Sequence, residues 1–130
     1  KRKKPEDAWA ELSIVLDNRW VQSPGGGQFL SVLQTGTRTA FEVSIQELDR
    51  PCSLQWVRDV TSPDSDDVET QTEPFVIVKL DAQQLAEMVL PERGLLALQR
   101  YYRELRQEFA DSQVTVLLMG LEQWKRSTPP

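Results

Sequence analysis

At 130 residues the chain is long enough for one domain around one core, and 39% hydrophobic with 27% charged residues excludes a disordered polar tract. A single cysteine, Cys52, excludes an internal disulfide, and the absence of histidine excludes Ser–His, Cys–His and His-ligated zinc chemistry within the chain. The net charge of −5 argues against a generic nucleic-acid binder, and no apolar run approaches the roughly 20 residues that span a bilayer. Carboxylates and lysines are what remains for catalysis, with a hard cation such as Mg²⁺. The soluble, reducing interior of the cell is the default compartment.

Residues 1–11 read as a polar lead-in that opens with four basic residues, Lys1, Arg2, Lys3 and Lys4, either a nuclear-localisation or DNA-touching arm or the end of a charged linker. Residues 12–17 form the first strand, with Asp17 at its C-terminal end, where ligands collect in open α/β sheets. Pro24-Gly25-Gly26-Gly27 follows. It lacks both GxGxxG and Gly-Lys-Ser/Thr, so a turn into a helix over residues 27–35 is a better reading than a phosphate cradle. Phe29, Leu30 and Leu33 share one side of that helix.

Residues 37–45 and 52–58 read as two strands joined through a turn at Asp49-Arg50-Pro51 and paired as an antiparallel hairpin; Cys52, Leu54 and Trp56 share a face of the second. Residues 59–73 hold Asp59, Asp64, Asp66, Asp67, Glu69 and Glu73, and read as a long acidic loop. The run from Phe75 to Leu80 is apolar and β-branched apart from Lys79, the pattern of a central strand buried on both faces. Asp81 stands where a helix N-cap belongs, and Leu85, Met88 and Val89 give that helix an apolar stripe before Pro91 breaks it. A second helix over residues 95–109 repeats Leu95, Leu98, Tyr102, Leu105 and Phe109, with Arg100, Arg103, Glu104, Arg106 and Glu108 on its other face. Residues 114–120 form another buried strand parallel to its neighbour; residues 121–124 close the fold and 126–130 are a tail. The order predicts a three-layer α/β domain with a mixed sheet over residues 12–125.

Asp17 after one strand and Lys79 on another match the layout of restriction-endonuclease-like nucleases, whose signature is Pro-Asp, a spacer, then Asp/Glu-x-Lys. Their two acids hold Mg²⁺, and the lysine orients the attacking water or neutralises developing charge. Pro63-Asp64 followed by Ile77-Val78-Lys79 is half of that signature, with Ile77 where a carboxylate is required. An isoleucine cannot ligate a hard cation.

From about Leu12 to Trp124 the chain resembles the nuclease domain of the XPF family, most of all its Eme-type, non-catalytic branch. Val15-Leu16-Asp17-Asn18-Arg19 is similar to the Val-Val-Asp-x-Arg-Glu of active domains, with Trp20 in place of the last acid. Pro24-Gly25-Gly26-Gly27-Gln28-Phe29-Leu30, Arg50-Pro51-Cys52-Ser53-Leu54-Gln55-Trp56 and Glu73-Pro74-Phe75-Val76-Ile77-Val78-Lys79-Leu80 resemble Eme-type segments. The Gly-Asp of active members falls near Pro51-Cys52-Ser53, and their Glu-Arg-Lys falls on Ile77-Val78-Lys79. The resemblance implies a degenerate site in which Asp17 and Lys79 are vestiges, with no cofactor bound by this chain. It further implies a Mus-type catalytic partner that carries Mg²⁺, branched DNA as the shared substrate, no membrane, and the nucleus as the compartment. It also implies a C-terminal tandem helix-hairpin-helix domain, which these residues do not contain. Two other readings stay open: an active Mg²⁺ nuclease using Asp17, a loop acid and Lys79, and a protein-interaction module with no DNA role.

Overall fold

The computed structural model describes residues 12–35, 42–61, 68–90 and 95–127. The basic tetrad, the first half of the strand expected over 37–45, Pro63-Asp64 with the other central acids of the loop, Pro91 and the last three residues lie outside them. The elements run β1 (Leu12–Asp17), α1 (Asn18–Gln22), α2 (Gly26–Thr35), β2 (Glu42–Gln46), β3 (Ser53–Thr61), β4 (Val68–Asp81), α3 (Ala82–Met88), α4 (Leu96–Glu108), β5 (Gln113–Met119) and α5 (Leu121–Ser127). The five strands form one mixed sheet in the order β2-β1-β3-β4-β5. This is an α/β architecture with helices against the sheet, compatible with the restriction-endonuclease-like fold. Among the described residues no helix is long and apolar enough to cross a membrane.

The strand pairing corrects two expectations. β2 does not form a hairpin with β3; it pairs in parallel with β1, Ile14 opposite Val43, while β3 pairs antiparallel with the other side of β1, Leu16 opposite Leu54. The connection from β2 to β3 therefore passes around the C-terminal end of β1 rather than turning back on itself. The hairpin is instead β3–β4, in register from Thr61 opposite Val68 to Ser53 opposite Val78, with an irregularity near Gln55. Residues 59–61 and 68–73, expected in a loop, are strand, because Asp59-Val60-Thr61 and Val68-Glu69-Thr70 pair across it and a strand open to water tolerates acids on one face. The middle strand is thus β3, and β4 lies beside it, paired in parallel with β5 on its other side. Phe75 is 49% exposed, so only the C-terminal half of β4 is buried on both faces.

Period-two alternation sorts the core onto the two faces. On one, Ile14, Leu16 and Leu54 pack with Trp20 of α1, bordered by Phe29, Leu30 and Leu33 of α2 and by Ile77. Trp20 stacks on Phe29 with ring centroids 4.6 Å apart. On the other, Val76 and Val78 pack on Leu105 of α4, with Tyr101, Phe109 and Val114 around them. Tyr102, expected on the inner side of α4, is 60% exposed and Leu95 is 58% exposed; Tyr101 takes the inward position, since the face centred on Leu98, Tyr101 and Leu105 leaves both at its edge. The last helix reaches Ser127, past the point where a tail is expected to begin.

The glycines serve the turn between α1 and α2. Gly25 has φ +79°, and Gly26 sits so close to α1 that a Cβ there would overlap the Trp20 carbonyl oxygen and lie 2.6 Å from that of Val21. A close backbone approach, not anion capture, accounts for them.

Candidate functional site

The C-terminal ends of β1, β4 and β5 and the N-terminal start of β3 lie at one end of the sheet. Asp17 closes β1 and is fully buried. Its Oδ1 accepts hydrogen bonds from the Leu48 N–H at 2.9 Å and from the Arg19 guanidinium at 2.9 Å. Its Oδ2 accepts from the Cys52 N–H at 2.8 Å, the Arg19 Nε at 3.0 Å and the Arg19 N–H at 3.1 Å. The Arg19 guanidinium also donates to the Leu48 carbonyl. Burial pushes the Asp17 carboxyl up, but the Arg19 side chain and the Leu48 and Cys52 N–H groups outweigh it and hold the group below the usual carboxylate range. One carboxylate therefore caps α1, anchors Arg19 and pins both ends of the segment that carries the chain from β2 to β3.

Cys52 links the two residues singled out in the sequence. Its N–H donates to Asp17, and its carbonyl accepts from the Lys79 N–H at 2.8 Å. Its φ of 57° is left-handed, a conformation that favours glycine. Burial raises the Cys52 thiol above its ordinary range; the nearby Lys79 only partly offsets this. Such a thiol stays protonated at neutral pH and is a poor nucleophile. Ser53 beside it is buried, its hydroxyl donating to the Arg50 carbonyl at 2.7 Å.

Lys79 is 5% exposed. Its Nζ stands 3.1 Å from Asp81 Oδ1, an ion pair with no hydrogen-bond partner of good geometry among the described residues. Asp81 is also the residue before α3, where its N–H donates to Gln84 Oε1 at 3.0 Å. Ile77, two residues before Lys79 on the same face, packs against the Ile14–Leu16–Trp20–Leu54 cluster.

Asp17 and Lys79 are thus brought to opposite sides of Cys52, while Ile77 belongs to the core. Sequence reasoning missed Arg19 as the partner of Asp17, and Asp81 as the partner of Lys79. For Lys79 and Asp81 the signal was the i, i+2 spacing on one strand, where residues two apart share a face; for Asp17 it was a charge at a strand end that calls for a counter-charge, which Arg19 supplies from the first turn of α1.

These residues do not fit a hard divalent cation, which takes several oxygen ligands with free lone pairs. The lone pairs of Asp17 are occupied, Ile77 offers none, and the carboxylate of Asp81 faces the Lys79 ammonium. Among the described residues no three of His, Cys, Asp and Glu stand close enough to hold a metal.

No family model matches the chain. Over 89 residues, 68% of its length, it is 34% identical to the structure-specific endonuclease subunit EME1 of Homo sapiens, of which it spans 15%. The chain is accordingly related in sequence to one stretch of a structure-specific endonuclease subunit.

Proposed function

We propose that the chain is a non-catalytic, nuclease-like domain of an Eme-type regulatory subunit. It pairs with a Mus-type catalytic subunit to form a Mg²⁺-dependent endonuclease that cuts branched DNA (3′ flaps, forks and nicked Holliday junctions) in recombination and fork repair in the nucleus. The observation that carries this is the saturated carboxylate of Asp17. Five N–H groups from Arg19, Leu48 and Cys52 converge on it, so it holds the fold together and leaves no lone pair for a metal. The left-handed Cys52 supports the same reading, since that conformation favours glycine and the resemblance places a Gly-Asp pair near Pro51-Cys52-Ser53. Asp17 and Lys79 are then vestiges with structural work, and Mg²⁺ belongs to the partner.

The edge of the sheet offers a surface for that partner. On β5, Val116, Leu117 and Leu118 are 42%, 37% and 40% exposed, and Leu121 of α5 is 41% exposed. Beside them α3 and α5 frame an apolar groove lined by Leu85, Val89, Leu118, Leu121 and Trp124. An edge strand that is apolar on both faces is an association surface unless it is covered.

The test is cleavage of a labelled 3′-flap substrate in Mg²⁺ or Mn²⁺ by the chain alone, by the catalytic subunit alone, and by the two co-expressed. The expected result is no cleavage by the chain, a stable complex, and cleavage by the complex that survives Asp17→Asn. Cleavage by the chain alone that is abolished by Asp17→Ala would overturn the reading.

A further inference from the structure

The outward face of α4 carries three arginines that form no salt bridge among the described residues. Leu105 is buried, and Leu98, Tyr101 and Phe109 are partly buried toward the sheet. At about 100° per residue, the opposite face is centred on Arg103. Within about 60° on either side of it lie Leu96, Gln99, Arg100, Arg106 and Gln107, all exposed. That arc holds three guanidiniums and no acid. Glu104 borders the arc one turn from Arg100, while Glu108 is carried round to the flank and is engaged by Arg50 at 3.2 Å. Arg100 and Arg103 form no ion pair among the described residues. Arg106 lies over the exposed ring of Tyr102, 6.0 Å from its centroid.

We infer that this face binds the phosphate backbone of duplex DNA. The inference rests on the reading of the chain as part of a DNA endonuclease, and it answers a difficulty in that reading: a chain of net charge −5 is repelled by DNA unless one face concentrates positive charge. Three arginines over about 9 Å of helix can each meet a phosphate, as duplex DNA presents one charge per about 1.7 Å of axis. Arginine and glutamine both donate hydrogen bonds to phosphate oxygens without reading a base, so the contact is indifferent to sequence. An acidic protein segment would also meet the charge. Three guanidiniums and two glutamines, with Leu96 as the one apolar side chain of the arc, favour a repeating phosphate array over a partner whose specificity needs mixed signs.

The test is fluorescence anisotropy of a labelled 30-base-pair duplex with the full chain across a salt series, comparing Arg100→Gln/Arg103→Gln/Arg106→Gln with the parent. Gln keeps the helix propensity, so circular dichroism should be unchanged. The expected result is affinity about tenfold or more weaker at low salt. The slope of log affinity against log salt should be shallower by about 2 to 3, the counterion release of three phosphates. Lys125→Gln/Arg126→Gln in α5 should stay within about twofold of the parent; a comparable loss per charge there overturns the inference in favour of net charge. So does parental affinity in the triple variant, and so does binding of a poly-glutamate peptide with the same arginine dependence when the duplex is not bound. If the chain pairs with a catalytic nuclease subunit while the triple variant binds the duplex normally, this inference falls and the functional reading stands. If it neither pairs nor binds nucleic acid, both fall.

Discussion

Asp17 shows how one side chain can fix a topology. Its carboxylate stands at the end of β1 just where the chain crosses from β2 to β3, and it satisfies the Leu48 and Cys52 N–H groups that would otherwise be stranded there. Asp17→Ala removes those acceptors and should destabilise the fold by about 2–4 kcal/mol, read as a lower urea midpoint. The pH dependence has a definite sign. A carboxyl held below its ordinary value in the folded state contributes stability above its unfolded value of about 3.9, and that contribution is lost as pH falls through the folded value. Urea midpoints measured from pH 7 to pH 2 should therefore show an acid limb that Asp17→Asn flattens. Gly26 is the second single-residue constraint. Its missing Cβ faces backbone, which cannot rotate away, so Gly26→Ala should cost about 3 kcal/mol or more, whereas Gly27→Ala, with open space at its Cβ, should not destabilise by more than a few tenths.

At the level of elements, α4 joins two faces with separate duties. Leu105 is 3% exposed against Val76 and Val78, so Leu105→Ala should lower stability by about 2–5 kcal/mol. Tyr102→Ala, one turn away on the edge of that face, should change it by less than about 0.5 kcal/mol. Equal costs at the two positions in thermal melts would mean that the helix is rotated from the orientation described. α1 and α2 act as one unit on the opposite layer, through the Trp20–Phe29 stack and the close turn at Gly26. Trp20, fully buried, is the anchor of that layer.

Across the whole molecule, the two edges of the sheet differ. β2 carries Glu42, Ser44 and Gln46 around a single exposed apolar side chain, Ile45, while β5 exposes the consecutive Val116, Leu117 and Leu118. Polar residues protect an edge, and apolar ones invite a partner. On the proposed pairing, Leu118→Glu/Leu121→Glu should abolish co-purification with a Mus-type catalytic subunit while leaving the circular dichroism spectrum intact, because both side chains are about 40% exposed in the isolated chain. A double variant that still co-purifies would move the pairing surface elsewhere.

The α/β class, the apolar runs of β1, β4 and β5, a helix start within one residue of Gly26 and another after Asp81, and the inward side of α2 were legible in the sequence, because strand and helix periods are local properties of the chain; that β5 is an exposed edge strand rather than the buried one its apolar run suggests was not. The apolar Ile77 two positions before Lys79 was legible for the same reason. Which strand lies beside which was not. A turn at Asp49-Arg50-Pro51 suits a hairpin as well as a crossover; the ladders of β1 with β2 and β3 make it a crossover, and the hydrogen bonds that Asp17 accepts from Leu48 and Cys52, each more than 30 residues from it in the chain, hold that crossover in place. Likewise the pairing of Lys79 with Asp81, the left-handed turn at Cys52 and the choice of Tyr101 over Tyr102 as the inward residue of α4 depend on how the layers press together. Side-chain type sets what each residue can do; the neighbours that the tertiary structure supplies decide which of those capacities is used.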